Sequence, residues 1–360
     1  MDGKNPRHVT RREFLESLAV FGASVGLVAC GGGSGGADSV GAVPGVPELP
    51  PEPEAPAGLP TRVLGRTGVE VPILGYGGAA LAARYGNSLS IPDRVELVRR
   101  AYDEGIRYFD TAHQFSYSES QEVLGEGLQG IRDDVFITSK VDFWNPGAAG
   151  GQLERVDRAD VARQVEDILA ALGTDYVDAM FIHGTPGLEQ MTVEQALEVR
   201  EELGKAQDRG QVRFVGFSAH HYFDKALALI ESDQFDLCML AYGYIPRGLS
   251  RRYVPATIEL RDACIARADE LGMGIVAMKV LGAGLLGGFE QPVRAAACRY
   301  ILKDERIHNL TIGMGSPEEL DANVGSLLEN TQWSDADAEL LEEAGARVAE
   351  LDAFRNMPAA

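Results

Sequence analysis

The sequence predicts an α/β fold, a (β/α)8 TIM barrel of parallel strands, on three observations. Short apolar runs alternate with amphipathic helical stretches from Ile73 to Leu328, the pattern of a parallel sheet wrapped by helices. Eight such strand–helix units follow one another, the number that closes a barrel. Polar residues recur where the strands end, at Asp110, Lys140, His183 and Ser218, and those ends are where parallel α/β folds build sites. A doubly wound open sheet is the alternative, but the Gly-x-Gly-x-x-Gly turn it needs after its first strand is missing.

In chain order, the first thirty residues read as an address rather than as structure. Thr10-Arg11-Arg12-Glu13-Phe14-Leu15 resembles the twin-arginine (Tat) export motif. The apolar segment from Leu18 to Ala29 is too short and too rich in Gly and Ala to span a membrane. It ends in Leu27-Val28-Ala29-Cys30, which resembles a lipobox with Cys30 as the lipid-modified first residue of the mature chain. A cleaved signal with an incidental cysteine is the alternative. The expectation is a lipoprotein of the periplasm or cell envelope, held to the membrane only by its lipid. Residues 31–60 are Gly/Ser-rich and then Pro/Glu-rich, too poor in apolar side chains to offset the entropy of ordering, and read as a disordered spacer. The folded domain is expected over residues 61–355.

The domain opens with two short apolar runs around Gly65-Arg66-Thr67-Gly68, a hairpin signal. A strand from about Ile73 leads into a glycine-rich loop, and Pro92 to Gly105 reads as a helix with proline in its first turn and glycine past its end. Arg107 to Phe109 is a strand that delivers Asp110. A helix over Glu119 to Leu128 follows, and a strand from Val135 to Thr138 delivers Lys140. The alternation continues with helices at 157–172, 193–207, 224–230, 257–271, 292–302 and 317–328. Between them lie strands at 176–182, 212–217, 235–240, 275–278 and 310–312. Past Trp333 a further acidic helix is expected outside the barrel. The chain has 360 residues and a net charge of -21, which argues against nucleic acid as a partner. Its four cysteines show no metal-type spacing. With Cys30 assigned to the signal, Cys238, Cys264 and Cys298 read as core residues.

The span from about Thr61 to about Leu328 resembles the aldo-keto reductase family. The resemblance rests on FDTA at 109–112, ITSKV at 137–141 and DAMFIHG at 178–184. GQVRFVGFSAH at 210–220, VAMKVLGAG at 276–284 and IGMGSPEELDAN at 312–323 continue it in order and spacing. It implies an N-terminal β-hairpin closing the barrel bottom and a nicotinamide cofactor, NAD(P)H, across the top. It also implies a catalytic set of Asp110, a tyrosine, Lys140 and His183. The chemistry needs such a set: hydride transfer to a carbonyl builds negative charge on oxygen, which must be met by a donor and then a proton. A phenol near its ordinary pKa of about 10 is a poor acid unless a cation lowers it, and Lys140, held by Asp110, is the expected cation.

The tyrosine departs from the family pattern. Phe115 stands where it is usual and cannot donate a proton, whereas the spacing back from Leu124-Gly125 suits Tyr117; His113 is a substitute donor in the same loop. The resemblance further implies that Ser218 bonds the nicotinamide amide and that Tyr242 stacks on its ring, although Met239 replaces the usual amide-binding glutamine. Lys279 and the turn Leu281-Gly282-Ala283-Gly284 fall at the pyrophosphate; Gly313, Ser316 and Asn323 fall at the adenosine. Ser316 stands where a basic residue selects NADPH, and Glu319 is near it, which removes the cation a 2′-phosphate wants. Trp144 and Phe115 are expected at the substrate mouth, for an apolar or aromatic carbonyl. The implied function is NAD(P)(H)-dependent oxidoreduction between a small-molecule carbonyl and an alcohol, tethered in the envelope. The alternative is a catalytically impaired member of the fold that binds a nucleotide or a partner.

Overall fold

The computed structural model describes residues 58–143, 152–245 and 255–350, with Pro186 and Pro255 described by backbone alone. The export signal, Cys30, the spacer up to Ala57, and Trp144 lie outside the described residues.

Strands β1 (Thr61–Val63) and β2 (Glu70–Pro72) form the expected antiparallel hairpin, with Arg62 opposite Val71. Its turn presses on the N-terminal end of the barrel. Gly65 has φ +50°, and a Cβ there would collide with the backbone of Met273 and Gly274. Only glycine combines that conformation with that approach. Arg66 N donates to Gly272 O at 2.6 Å, and Leu64 beneath it is fully buried. The hairpin therefore plugs the bottom.

The barrel strands are β3 (Leu74–Gly77), β4 (Tyr108–Asp110), β5 (Phe136–Val141), β6 (Val177–Ile182), β7 (Val212–Ala219), β8 (Leu237–Ala241), β9 (Gly274–Met278) and β10 (Asn309–Ile312). They pair in parallel in chain order, and β10 returns to β3 with Leu310 opposite Leu74. Every residue of β5, β6, β8, β9 and β10 is buried, as strands covered on both faces must be. That is why they read as continuous apolar runs rather than alternating ones.

The covering helices are α1 (Ile91–Asp103), then α2 (Gln114–Tyr117) and α3 (Ser120–Gly127), α4 (Arg158–Leu172), α5 (Val193–Asp208), α6 (Phe223–Glu231), α7 (Pro255–Glu270), α8 (Gln291–Leu302), α9 (Pro317–Glu329) and α10 (Asp335–Ala349). Their starts are fixed locally. Ser90 caps α1 by accepting from Asp93 N, and Thr192 with Gln195 forms a capping box on α5. Helix α10 packs outside the barrel, where Leu341, Ala344 and Val348 join Ile245, Leu286 and Val293. The Arg299–Asp337 ion pair ties it to α8. Cys238, Cys264 and Cys298 are buried and free. One element departs from expectation. The 111–118 segment contains the one-turn helix α2, because His113 Nδ1 accepts from Phe115 N at 3.4 Å and closes the turn.

Candidate active site

The C-terminal ends of the strands open into a cleft of about 590 Å³. Asp110 is the last residue of β4. Lys140 on neighbouring β5 places its ammonium 2.5 Å from Asp110 Oδ1 and 2.7 Å from Thr111 O. Both side chains are almost fully buried, Lys140 being 1% exposed and Asp110 4%. An unpaired charge so deep would be costly, so each is the other's condition for being there. Burial pushes the Asp110 carboxyl up, and Lys140 opposes it.

Tyr117 closes α2 and turns its ring into the same cleft. Lys140 Nζ lies 5.2 Å from the ring centroid, and the His183 ring meets it edge-on at 5.7 Å. The expectation that Lys140 would bring the phenol down is not met. Burial raises Tyr117 well above its ordinary value, and Asp110 raises it further. The physical reason is first the loss of water around the phenol, to which the nearby carboxylates Asp110 and Asp142 add.

His183 is the first residue past β6, and its Nδ1 is bonded to Asp142 Oδ1. Asp142 is itself clamped: its N–H donates to Gln164 Oε1 at 2.8 Å, and Gln164 Nε2 donates to its carbonyl at 2.8 Å. Sequence reading passed over Asp142. It follows Lys140 by two residues, the spacing that keeps side chains on one face of an extended segment, and that signal could have found it. A carboxylate only accepts, so His183 donates from Nδ1. Its Nε2 can donate as well only in the imidazolium form.

The tyrosine loop is strapped from outside. Glu119 accepts from Arg94 at 2.5 Å and from Ala83 N at 3.0 Å. Arg84 donates to Phe115 O at 2.7 Å, and the Tyr85 hydroxyl to Ser116 O at 3.0 Å. Tyr85 then meets Tyr117 edge-on at 5.9 Å. On the barrel side a Cβ at Gly78, the residue after β3, would collide with Asp110 O, so the chain leaving β3 can pass the acid only with glycine there.

The remaining expected residues divide. Lys279, Leu281, Gly284, Gly313 and Asn323 line the cleft, as do Ala283, Glu319 and both methionines, Met239 and Met278. Ser218, Tyr242, Gly282 and Ser316 lie outside that lining. Ser218 Oγ accepts from Gly184 N at 2.8 Å. The Tyr242 ring is covered by Arg261 at 4.5 Å, with its hydroxyl 3.5 Å from Asp304. Gly282 faces Ile245, and Ser316 caps α9 by accepting from Glu319 N at 3.3 Å. Each of these four has a protein partner. Phe115, expected at the mouth, is 43% exposed and also outside the lining; His113 spends Nδ1 on the α2 cap, and its Nε2 is buried without a partner among the described residues. Arg294 from α8 was not foreseen: it reaches the Gly284–Asn323 end of the cleft, bonded to Gln291 Oε1 at 2.9 and 2.6 Å.

The cleft fits an extended dinucleotide. It runs from Asp110 to Asn323 past a wall with little side chain, and a Cβ at Gly284 would meet nothing within 4 Å. A side chain there would occupy the space.

Residues 73–295 match the model of the Aldo/keto reductase family. Among curated proteins, the chain is 32% identical to the aldo-keto reductase YhdN of Bacillus subtilis over 157 residues, 42% of this chain and 44% of that protein. It is 24% identical to L-galactose dehydrogenase of Arabidopsis thaliana over 290 residues, 74% of this chain and 88% of that one. It is also 24% identical to pyridoxal 4-dehydrogenase of Microbacterium luteolum, over 73% of this chain and 91% of that one. The chain thus spans less than half the length of YhdN and most of the other two. A solved aldo-keto reductase of Bacillus halodurans in its holo form superposes with a TM-score of 0.60 at 20% identity, covering 83% of this chain and 100% of that one. At that identity the likeness speaks for the barrel alone.

Proposed function

This chain belongs to the aldo/keto reductase family, and from that premise we propose that the Tyr117 cleft interconverts a carbonyl and an alcohol with NAD(P)(H). The chain is an oxidoreductase of that type. The observation that carries the site assignment is the convergence of Tyr117, Lys140 and His183, with Lys140 5.2 Å and His183 5.7 Å from the tyrosine ring. When bound, the nicotinamide dinucleotide supplies or takes the hydride.

The protein's own groups do the rest. Tyr117 keeps its proton at neutral pH, because its pKa is raised. In the reducing direction it therefore meets the developing alkoxide as a neutral O–H donor and gives up its proton late, to an oxygen more basic than itself. Asp110 and Lys140 form a buried ion pair that fixes the floor beneath the phenol. His183, held by Asp142 through Nδ1, turns its ring toward the tyrosine and lines the side of the same oxygen. Lys279, Leu281, Gly284, Gly313 and Asn323 would hold the dinucleotide along the wall. Ser218, Tyr242, Gly282 and Ser316 are kept as proposed cofactor contacts beyond that lining. The alternative, a catalytically impaired binding module, draws on Phe115, Met239 and Ser316; the presence of Tyr117 in the cleft favours the enzyme.

Titration of the protein with NADH and NADPH, followed by turnover with a panel of aldehydes and ketones, tests this reading. Oxidation of bound cofactor by at least one carbonyl is expected. Tight cofactor binding with no oxidation across the panel would instead favour the binding module.

The substrates in the relatives' names, L-galactose and pyridoxal, are not carried over to this chain. Tethering is a separate part of the proposal and rests on the sequence at Thr10–Leu15 and Leu27–Cys30. Among the described residues no helix is long and apolar enough to cross a membrane; the attachment proposed from the sequence is the lipid on Cys30. Mass spectrometry of the membrane fraction should find a diacylated or triacylated Cys30 at the N-terminus. A mature chain that begins elsewhere contradicts it.

A further inference from the structure

A second polar chain enters the cleft opposite the tyrosine, and the reaction as described makes no use of it. His220, just past the end of β7, lines the cleft together with Thr185. Its Nδ1 lies 2.6 Å from Thr185 Oγ1, and Thr185 Oγ1 donates to Glu189 Oε1 at 2.6 Å. The direction of this chain is forced. A carboxylate only accepts, so the single threonine proton goes to Glu189. The threonine oxygen must then accept from His220 Nδ1–H, which leaves Nε2 as a bare acceptor unless the ring is protonated.

Protonation is opposed from every side. Burial lowers the His220 pKa well below its ordinary value, and the charges of Lys279, His183, His221 and Lys140 lower it further. The segment that carries Thr185 and Glu189 is also anchored. Lys225 Nζ donates to the carbonyls of Leu188, Glu189 and Met191 at 3.3, 2.9 and 2.7 Å. Glu189 is further approached by His221 Nε2 at 3.5 Å. A neutral acceptor held this firmly inside a cleft is arranged for a donor.

We propose that His220 Nε2 accepts a hydrogen bond from a hydroxyl carried by the substrate, so that the enzyme's substrates are hydroxyaldehydes or hydroxyketones and the matching polyols. A carbonyl substrate without a hydroxyl would leave His220 Nε2 unpaired in the cleft, and sites built to bond a hydroxyl reject analogues that lack it. This inference rests on the carbonyl–alcohol reading of the Tyr117 cleft and narrows its substrates.

The test has two arms on the full chain. Nitrogen-15 NMR of the imidazoles, with His220→Phe to assign the signal, reads the tautomer without any turnover. Protonated Nδ1 and bare Nε2 are expected at neutral pH, and a protonated Nε2 overturns the proposal. In the second arm kcat/KM is compared for glyceraldehyde against propanal and for hydroxyacetone against acetone. The hydroxylated member should be favoured by at least about tenfold, and His220→Phe should bring that ratio close to one. A ratio near one in the unmodified protein overturns the proposal. So does a His220→Phe variant that keeps the ratio but loses cofactor affinity, which would assign the acceptor to the nicotinamide amide. Cofactor binding without turnover of either member overturns the carbonyl–alcohol reading, and this one with it; the tautomer and ratio arms fail while that reading stands.

Discussion

Among single residues, the one that most changes the picture of the site is Asp142, because it fixes what His183 can do. Replacing it by asparagine removes the charged acceptor that orients the ring through Nδ1. A charged hydrogen bond is worth about 1.5–3 kcal/mol, so kcat should fall roughly tenfold to a hundredfold, with cofactor affinity little changed. Steady-state kinetics beside a cofactor titration checks both. Glu319 is the second informative residue, since it shares the Gly284–Asn323 end of the cleft with Arg294. The carboxylate accepts from Gly315 N at 2.7 Å, and Arg294 is turned toward Gln291. Opposed charges there predict NADH and NADPH affinities within about tenfold of each other. Glu319→Gln should shift the balance toward NADPH by calorimetry. Asp110, Lys140 and His183 were legible because each interrupts an apolar run at a strand end, and Tyr117 through its spacing to Leu124-Gly125. Asp142 was passed over although its two-residue spacing from Lys140 marks it, and Arg294 lies on a helix whose pattern shows only its buried face.

At the scale of elements, the site depends on the contact between the loop after β3 and the start of α3. Glu119 receives Arg94 and Ala83 N, and its carboxyl is held down at about 2, chiefly by the Arg94 hydrogen bond. A carboxylate whose folded pKa is depressed adds stability at pH above its unfolded value, near 4.5, and loses it as the pH falls through about 2. Its side chain is 27% exposed and Arg94's 6%, so screening leaves about 1 kcal/mol. Glu119→Gln should therefore lower Tm by roughly 2–4 °C at pH 7, and that difference should shrink from pH 4.5 downward. Thermal melts across that range check it; a difference independent of pH would contradict it. The barrel strands and outer helices were readable because caps, glycine stops and apolar periodicity are local signals. Helix α2 was not, because four residues are too few to show a period and its cap is a histidine.

For the whole molecule, the closed barrel converts separate strand ends into one cleft. Asp110, Lys140 and His183 come from three consecutive strands, β4 to β6, and converge only because the sheet curves and closes. That closure was legible from the count of strand–helix units. The depth of burial was not, and it raises the Tyr117 pKa against the expectation drawn from Lys140. The raised value has a consequence at the level of the reaction. Reduction should persist without loss up to about pH 10, while alcohol oxidation, which needs the phenol to accept a proton, should quicken as pH rises. The most direct measurement is a single-turnover assay with Tyr117→Phe, following oxidation of bound NAD(P)H by excess carbonyl. A fall of about 10²–10⁴-fold in the chemical step is predicted, with cofactor affinity retained; an unchanged single-turnover rate would contradict the assignment of Tyr117 as proton donor.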